Sequence, residues 1–97
     1  MARRISWSRP AQHDRRTIFT YWNKNNQSNL YSRKLNRLFN EAIITLSKYP
    51  FIGRSSAILN VHIKVVRDYL IVYEVLNEEI VILRIWDGRQ DSGRLPL

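Results

Sequence analysis

His62 and Lys64 stand two residues apart in the stretch VHIKVV, and further on ILRIWDGRQD (Ile82 to Asp91) carries Arg84, Trp86 and Arg89. Alternate residues of a strand share a face, so His62 projects with Lys64, and Arg84 with Trp86. An imidazole moves protons near neutral pH, while an ammonium or guanidinium grips a phosphate or a carboxylate. This set fits phosphodiester chemistry or the binding of an anionic partner. It also fits a solvated sheet face, with Trp86 packing at a sheet edge or anchoring a partner. Asp87 suits an Asx turn that bends the chain at Gly88 and brings Arg89 back to the side of Arg84 and Trp86.

Other chemistries find little support in the sequence. The 97 residues include no cysteine, so neither a disulfide nor a thiolate metal site can form. His13 and His62 lie far apart with no paired carboxylates, and three glycines make no phosphate-binding loop. No metal or other cofactor is expected. The formal charge of +8 is unevenly spread. Residues 1–54 hold eleven Lys and Arg against Asp14 and Glu41, a net +9; residues 55–97 hold five against six acids, a net −1. Arg33, Lys34 and Arg37 cluster within the basic half. They read as a solvated helix face or as a docking surface for a polyanion or an acidic protein segment. No run approaches a membrane span and no apolar leader follows the basic N-terminus, so a soluble, cytoplasmic chain is expected.

The positions of these residues depend on their elements. Arg3–Arg9 alternates Ile5 and Trp7 with polar neighbours, a short half-exposed strand. Ala11, Ile18, Phe19 and Trp22 recur at helical spacing after Pro10, with Arg15 the one polar member of their stripe. The cluster Asn23 to Asn29 reads as a tight turn, with Ser28 capping a second helix. That helix carries one apolar stripe, Tyr31, Leu35, Leu38, Phe39, Ala42 and Leu46, and stops at Pro50 and Gly53. Three strands follow, turning at Arg67-Asp68 and at Asn77-Glu78-Glu79. The pattern predicts a single α+β domain over 1–97, β-α-α-β-β-β, its helical hairpin packed on one face of a small, mainly antiparallel sheet.

Register decides which side chains meet. Val61, Ile63 and Val65 are expected to face the helices. Two-residue turns would then set Glu74 beside Val61 and Val81 on the buried side, and burying an unpaired carboxylate costs several kcal/mol. The sequence therefore predicts three-residue turns or a bulge, with Asn77 in the left-handed conformation. Tyr69, Ile71, Tyr73 and Val75 then point inward, and His62, Lys64, Glu74, Arg84 and Trp86 share the face away from the helices.

The element order and the phrase VRDYLIVYEVLNEEIVILRIWDGRQD (Val66 to Asp91) closely resemble the RelE/ParE superfamily of toxins from type II toxin–antitoxin modules. The resemblance extends from WSRPAQHDRRTIFTYW through YSRKLNRLFNEAIITLSKYPFIG to the terminal hook. It implies a small bacterial toxin, of the plasmid-stabilisation type, neutralised by a cognate antitoxin. Such toxins either cut messenger RNA on the ribosome or poison DNA gyrase. For an endoribonuclease the resemblance places catalytic groups at His62, Lys64 and Arg89. However, Leu70 occupies the place of a catalytic arginine, and no Tyr or His follows Trp86 to serve as the terminal acid. The strand arginine ahead of a Gly-Arg hook resembles ParE-like members. The resemblance thus favours gyrase over ribosome and mRNA as target, with Arg33, Lys34, Arg37, Arg67, Arg84, Trp86 and Arg89 as target- or antitoxin-binding residues. A further alternative is a non-toxic relative that retains only antitoxin binding. The antitoxin is expected to be short and partly disordered, folding on this surface.

Overall fold

The computed structural model describes residues 2–89. Strand β1 (Arg4–Trp7) leads into helices α1 (Arg9–Asn26) and α2 (Leu30–Lys48), followed by β2 (Arg54–Ser55), β3 (Val61–Val66), β4 (Tyr69–Val75) and β5 (Glu79–Asp87). The sheet order is β1-β5-β4-β3-β2; β1 runs parallel to β5 and the other neighbours are antiparallel. The α+β hairpin-on-sheet architecture is as expected, with the two-residue β2 added at the far edge.

Ser8 caps α1: it is the last extended residue before the helix, and its Oγ accepts from the Ala11 N–H at 3.1 Å. The helix runs through Asn23–Asn26, which the sequence suggested were turn residues. These asparagines are poor helix formers but not breakers, and α1 ends only where Gln27 adopts φ 51°. The cap of α2 is Asn29, one residue beyond the expected Ser28, whose Oγ accepts from the Leu30 N–H.

Leu35, Phe39, Ile43 and Leu46 of α2 and Ala11 of α1 close over Tyr69, Ile71, Tyr73, Val75, Ile80, Ile82 and Ile85 to form the main core. Phe39 meets Tyr69 edge-on at 5.7 Å. A second apolar cluster, Val61, Ile63 and Val72 with Leu70, Leu83 and Trp86 against it, covers the other face of the sheet.

That second cluster overturns the expected register. The β3–β4 turn holds only Arg67 and Asp68, with Arg67 at φ 56°. Val61 therefore pairs with Glu74, His62 with Tyr73, and Lys64 with Ile71. His62 and Lys64 thus share the helix-facing side with Tyr73 and Ile71, while Val61 and Ile63 face away. Glu74 does lie beside Val61 and Val81, but on the outer face and half-buried, so no carboxylate enters the core. Alternation fixes which residues share a face, not which face meets the helices, and the expectation chose the wrong one. The bulge is present within β5: Val72 and Tyr73 pair with Arg84 and Ile82, leaving Leu83 as the extra residue. Asn77 is not left-handed; among the described residues Gln27, Asn60 and Arg67 are.

Candidate functional site

Pairing with β1 ends at Trp7–Ile82, so β5 continues to Asp87 with no strand of the described residues on its outer side. Helix α1 covers that edge instead. Ser8 donates from its N–H to the Ile82 carbonyl at 3.0 Å and from its Oγ to the Leu83 carbonyl at 2.8 Å. Asp14, less than two turns later, accepts the Ile85 N–H through Oδ2 at 3.0 Å. The same carboxylate takes a two-pronged grip from Arg84, Nε at 2.8 Å and Nη2 at 3.0 Å. Asp14 is thus a surrogate strand partner and the counter-charge for the arginine within β5. Its side chain is only 12% exposed against 42% for Arg84. The fork holds the Arg84 guanidinium more firmly protonated than usual, with its carbon 4.9 Å from the centre of the Trp86 ring.

The hook is fixed by a second fork. Asp87 accepts from Arg89 at the backbone N–H (2.9 Å), Nε (3.0 Å) and Nη2 (2.8 Å). These bonds hold the Asp87 carboxyl below the usual carboxylate range against the opposing effect of its partial burial. The Gly88 N–H donates to the Asp68 carbonyl at 2.6 Å, pinning the hook to the β3–β4 turn. A Cβ on Gly88 would lie 2.8 Å from that oxygen, so the approach requires glycine. Arg89 turns towards α1, 5.8 Å from the Trp22 ring. Trp22 in turn donates from Nε1 to the hydroxyl of buried Tyr69 at 2.7 Å. Burial pushes the Tyr69 phenol up, and the Trp22 bond partly offsets this.

Between α1 and this strand end lies a cleft of about 580 Å³. His13, Thr17 and Tyr21 form the helix wall, and Arg84, Trp86 and Arg89 the strand wall, with both carboxylates between. A shallower hollow of about 490 Å³ adjoins it, sharing His13, Thr17 and Tyr21 and adding Arg16 and Thr20. Among the described residues no group of three or more His, Cys, Asp or Glu side chains is placed to hold a metal, and no helix is long and apolar enough to cross a membrane.

Arg84, Trp86 and Arg89 therefore come together, though not as expected: Arg89 lies on the α1 side rather than the outer face, and the cleft wraps the edge between. His62 and Lys64 do not join them. His62 sits against Phe51 (5.5 Å) and nearly parallel to Tyr73 (5.7 Å), its Nδ1 buried without a hydrogen-bond partner among the described residues. The ladder row of His62 lies four residues along β3 from the row that ends in Asp87. Arg67 is exposed in the turn against which the hook is pinned. Arg33, Lys34 and Arg37 stand in solvent on α2, Arg37 loosely paired with Glu41 at 3.8 Å. Asp14, His13 and Tyr21 are the site residues that sequence reasoning missed. Asp14 carried a signal, being one of two acids in a half-chain of eleven cations.

Residues 5–92 match the sequence model of a family described as the ParE toxin of the type II toxin–antitoxin system parDE. Toxin ParE3 of Caulobacter vibrioides is 32% identical over 91 residues, an alignment that covers 91% of this chain and 89% of that protein. A structure of the chromosomal ParDE toxin–antitoxin system from P. aeruginosa superimposes with a TM-score of 0.73. It covers 87% of this chain and 94% of the other at 22% identity, and so supports the shared fold.

Proposed function

Since this chain belongs to the ParE toxin family of type II toxin–antitoxin systems, we propose that it arrests growth by binding DNA gyrase rather than by cutting RNA. The observation that carries this reading is the separation of the nuclease candidates. His62 and Lys64 lie on the helix-facing side of β3, His62 packed between aromatic rings, while Arg89 stands at the end of β5 with its guanidinium forked on Asp87. In-line attack on a phosphodiester needs base, acid and cation around one phosphorus, within hydrogen-bond reach of the atoms they serve. Binding has no such requirement, and the edge formed by Arg84, Trp86 and Arg89 is rigid and partly exposed.

The reading puts the toxin in the cytoplasm, where an antitoxin must hold it inactive. Exposed Tyr49, Phe51, Ile52, Ile58 and Leu59 on the connections around β2, with the basic helix faces, suit a short, partly disordered antitoxin that is apolar and acidic by turns.

Purified toxin added to gyrase and relaxed DNA should block supercoiling or trap cleaved DNA, and equimolar antitoxin should relieve it. Unimpaired gyrase, together with mRNA cut on programmed ribosomes, would replace this reading with the nuclease. Normal growth on induction without antitoxin would mark a non-toxic relative.

A further inference from the structure

The cleft at the end of β5 is more than an exposed edge, because its charges are already balanced from within. Two carboxylates and two guanidiniums line it, each arginine forked on its own aspartate. A guanidinium has five N–H donors, and each fork uses two. Three on Arg84 and three on Arg89 remain unengaged among the described residues. A free carboxylate or phosphate entering the cleft could reach those spare N–H groups only by lying against the Asp14 or Asp87 carboxylate beside them, and like charges repel. An apolar side chain would bury the spare arginine N–H groups and the Thr17 and Tyr21 hydroxyls without partners. The space suits a flat group that is neutral overall, with donors and acceptors on its edge and faces that stack.

Flat surfaces stand on both walls. Tyr21 is 52% exposed on the helix side. The Arg84–Trp86 stack forms the strand side. Cations with no ion pair among the described residues stand along the same helix: Arg16 in the adjoining hollow, and Arg9 and Lys24, both exposed.

We infer that this cleft binds one unpaired base of a single-stranded nucleic acid. The base lies between Tyr21 and the Arg84–Trp86 stack, and its edge is read by the spare Arg89 N–H groups and the Asp87 carboxylate. The flanking phosphates run past His13 and Arg16 along α1. Backbone attraction alone is sequence-blind and would act on any polyanion, whereas the stacking walls require a base. The inference goes beyond the target reading, which calls on the exposed edge of Arg84, Trp86 and Arg89 and not on the space between that edge and Tyr21.

The test titrates the full chain with a labelled short single strand, an abasic strand of equal length, the corresponding duplex and polyphosphate. The base-bearing strand should bind about tenfold or more tighter than the abasic one, the effect of one stacked base. Tyr21→Ala removes one wall, and Thr17→Trp fills the cleft; both sites are exposed helix positions with little bearing on folding. Each should bring that ratio close to one, while Arg16→Ala, on the path of the phosphates, should weaken both strands alike. Binding of the abasic strand or of polyphosphate as tight as that of the base-bearing strand would overturn the inference, as would tighter binding of the duplex. Gyrase inhibition by Tyr21→Ala, scored in parallel, reports on the target reading alone, so either can fail while the other stands.

Discussion

Asp87 accepts three hydrogen bonds from Arg89, and this sets a pH dependence whose direction can be worked out. Its folded pKa lies below that of an unfolded aspartate, about 3.9. The pair therefore adds stability that is fully present above that value and is lost as pH falls through the lower folded pKa. Arg89 is half-exposed, so the contribution is modest, about 1 kcal/mol or less. Denaturant midpoints of the native chain and of Asp87→Asn should differ near neutrality and converge in acid. A gap that persists or widens as pH falls would show that the fork adds no pH-dependent stability. The charge of Arg89 belongs to a closed local pair, which is why a hook so rich in charge can end a buried strand.

At the scale of elements, the joint between α1 and β5 rests on a side chain rather than a ladder. Asp14 bonds one strand N–H and one guanidinium, and neither has a replacement among the described residues. Asp14→Ala is expected to cost about 2–3 kcal/mol, since it leaves a part-buried donor and a charge unsatisfied together. Asp14→Asn should recover part of this through its carbonyl. Equilibrium unfolding measures both, and a loss within experimental error would mean that water replaces the carboxylate. The β3–β4 turn suggests the opposite change. Arg67 holds φ 56° without the freedom of glycine, in a two-residue turn where its neighbour does not share that sign. Arg67→Gly should stabilise by about 0.5–1 kcal/mol, read from the same unfolding curves.

These two elements also show what could be read from the sequence. The order of helices and strands, the inward set Tyr69, Ile71, Tyr73 and Val75, and the outward Arg84 and Trp86 follow from periodicity. The side of β3 did not, because both of its faces are apolar enough to be buried: Val61 and Ile63 pack on the outer cluster, while His62 sits against Tyr73. A tight turn built on an arginine gives no glycine or asparagine signal to fix register. Asp14 was invisible as a strand partner because its bond to Ile85 spans 71 residues. The end of the ILRIWDGRQD stretch, Gln90 and Asp91, lies outside the described residues.

For the whole molecule, charge and apolar surface would act on an antitoxin by different routes. The cations are concentrated in the half-chain that builds α1 and α2. Exposed Tyr49, Phe51, Ile52, Ile58 and Leu59 gather on the connections that flank β2. Charge acts over about 10 Å at ordinary ionic strength and chiefly speeds encounter, whereas apolar contact acts only once the partners touch and holds the complex together. Association with an acidic, partly disordered antitoxin should therefore slow steeply as salt rises, while dissociation changes little. The heat-capacity change on binding should stay negative at every salt concentration, because buried apolar area sets it. Stopped-flow mixing and calorimetry at two temperatures measure these quantities independently. Phe51→Ser, at an exposed site, should raise the dissociation rate and shrink the heat-capacity change without altering the salt dependence of association. If salt instead speeds dissociation and the heat-capacity change vanishes, the antitoxin is held by charge alone and the patch around β2 lies outside the interface.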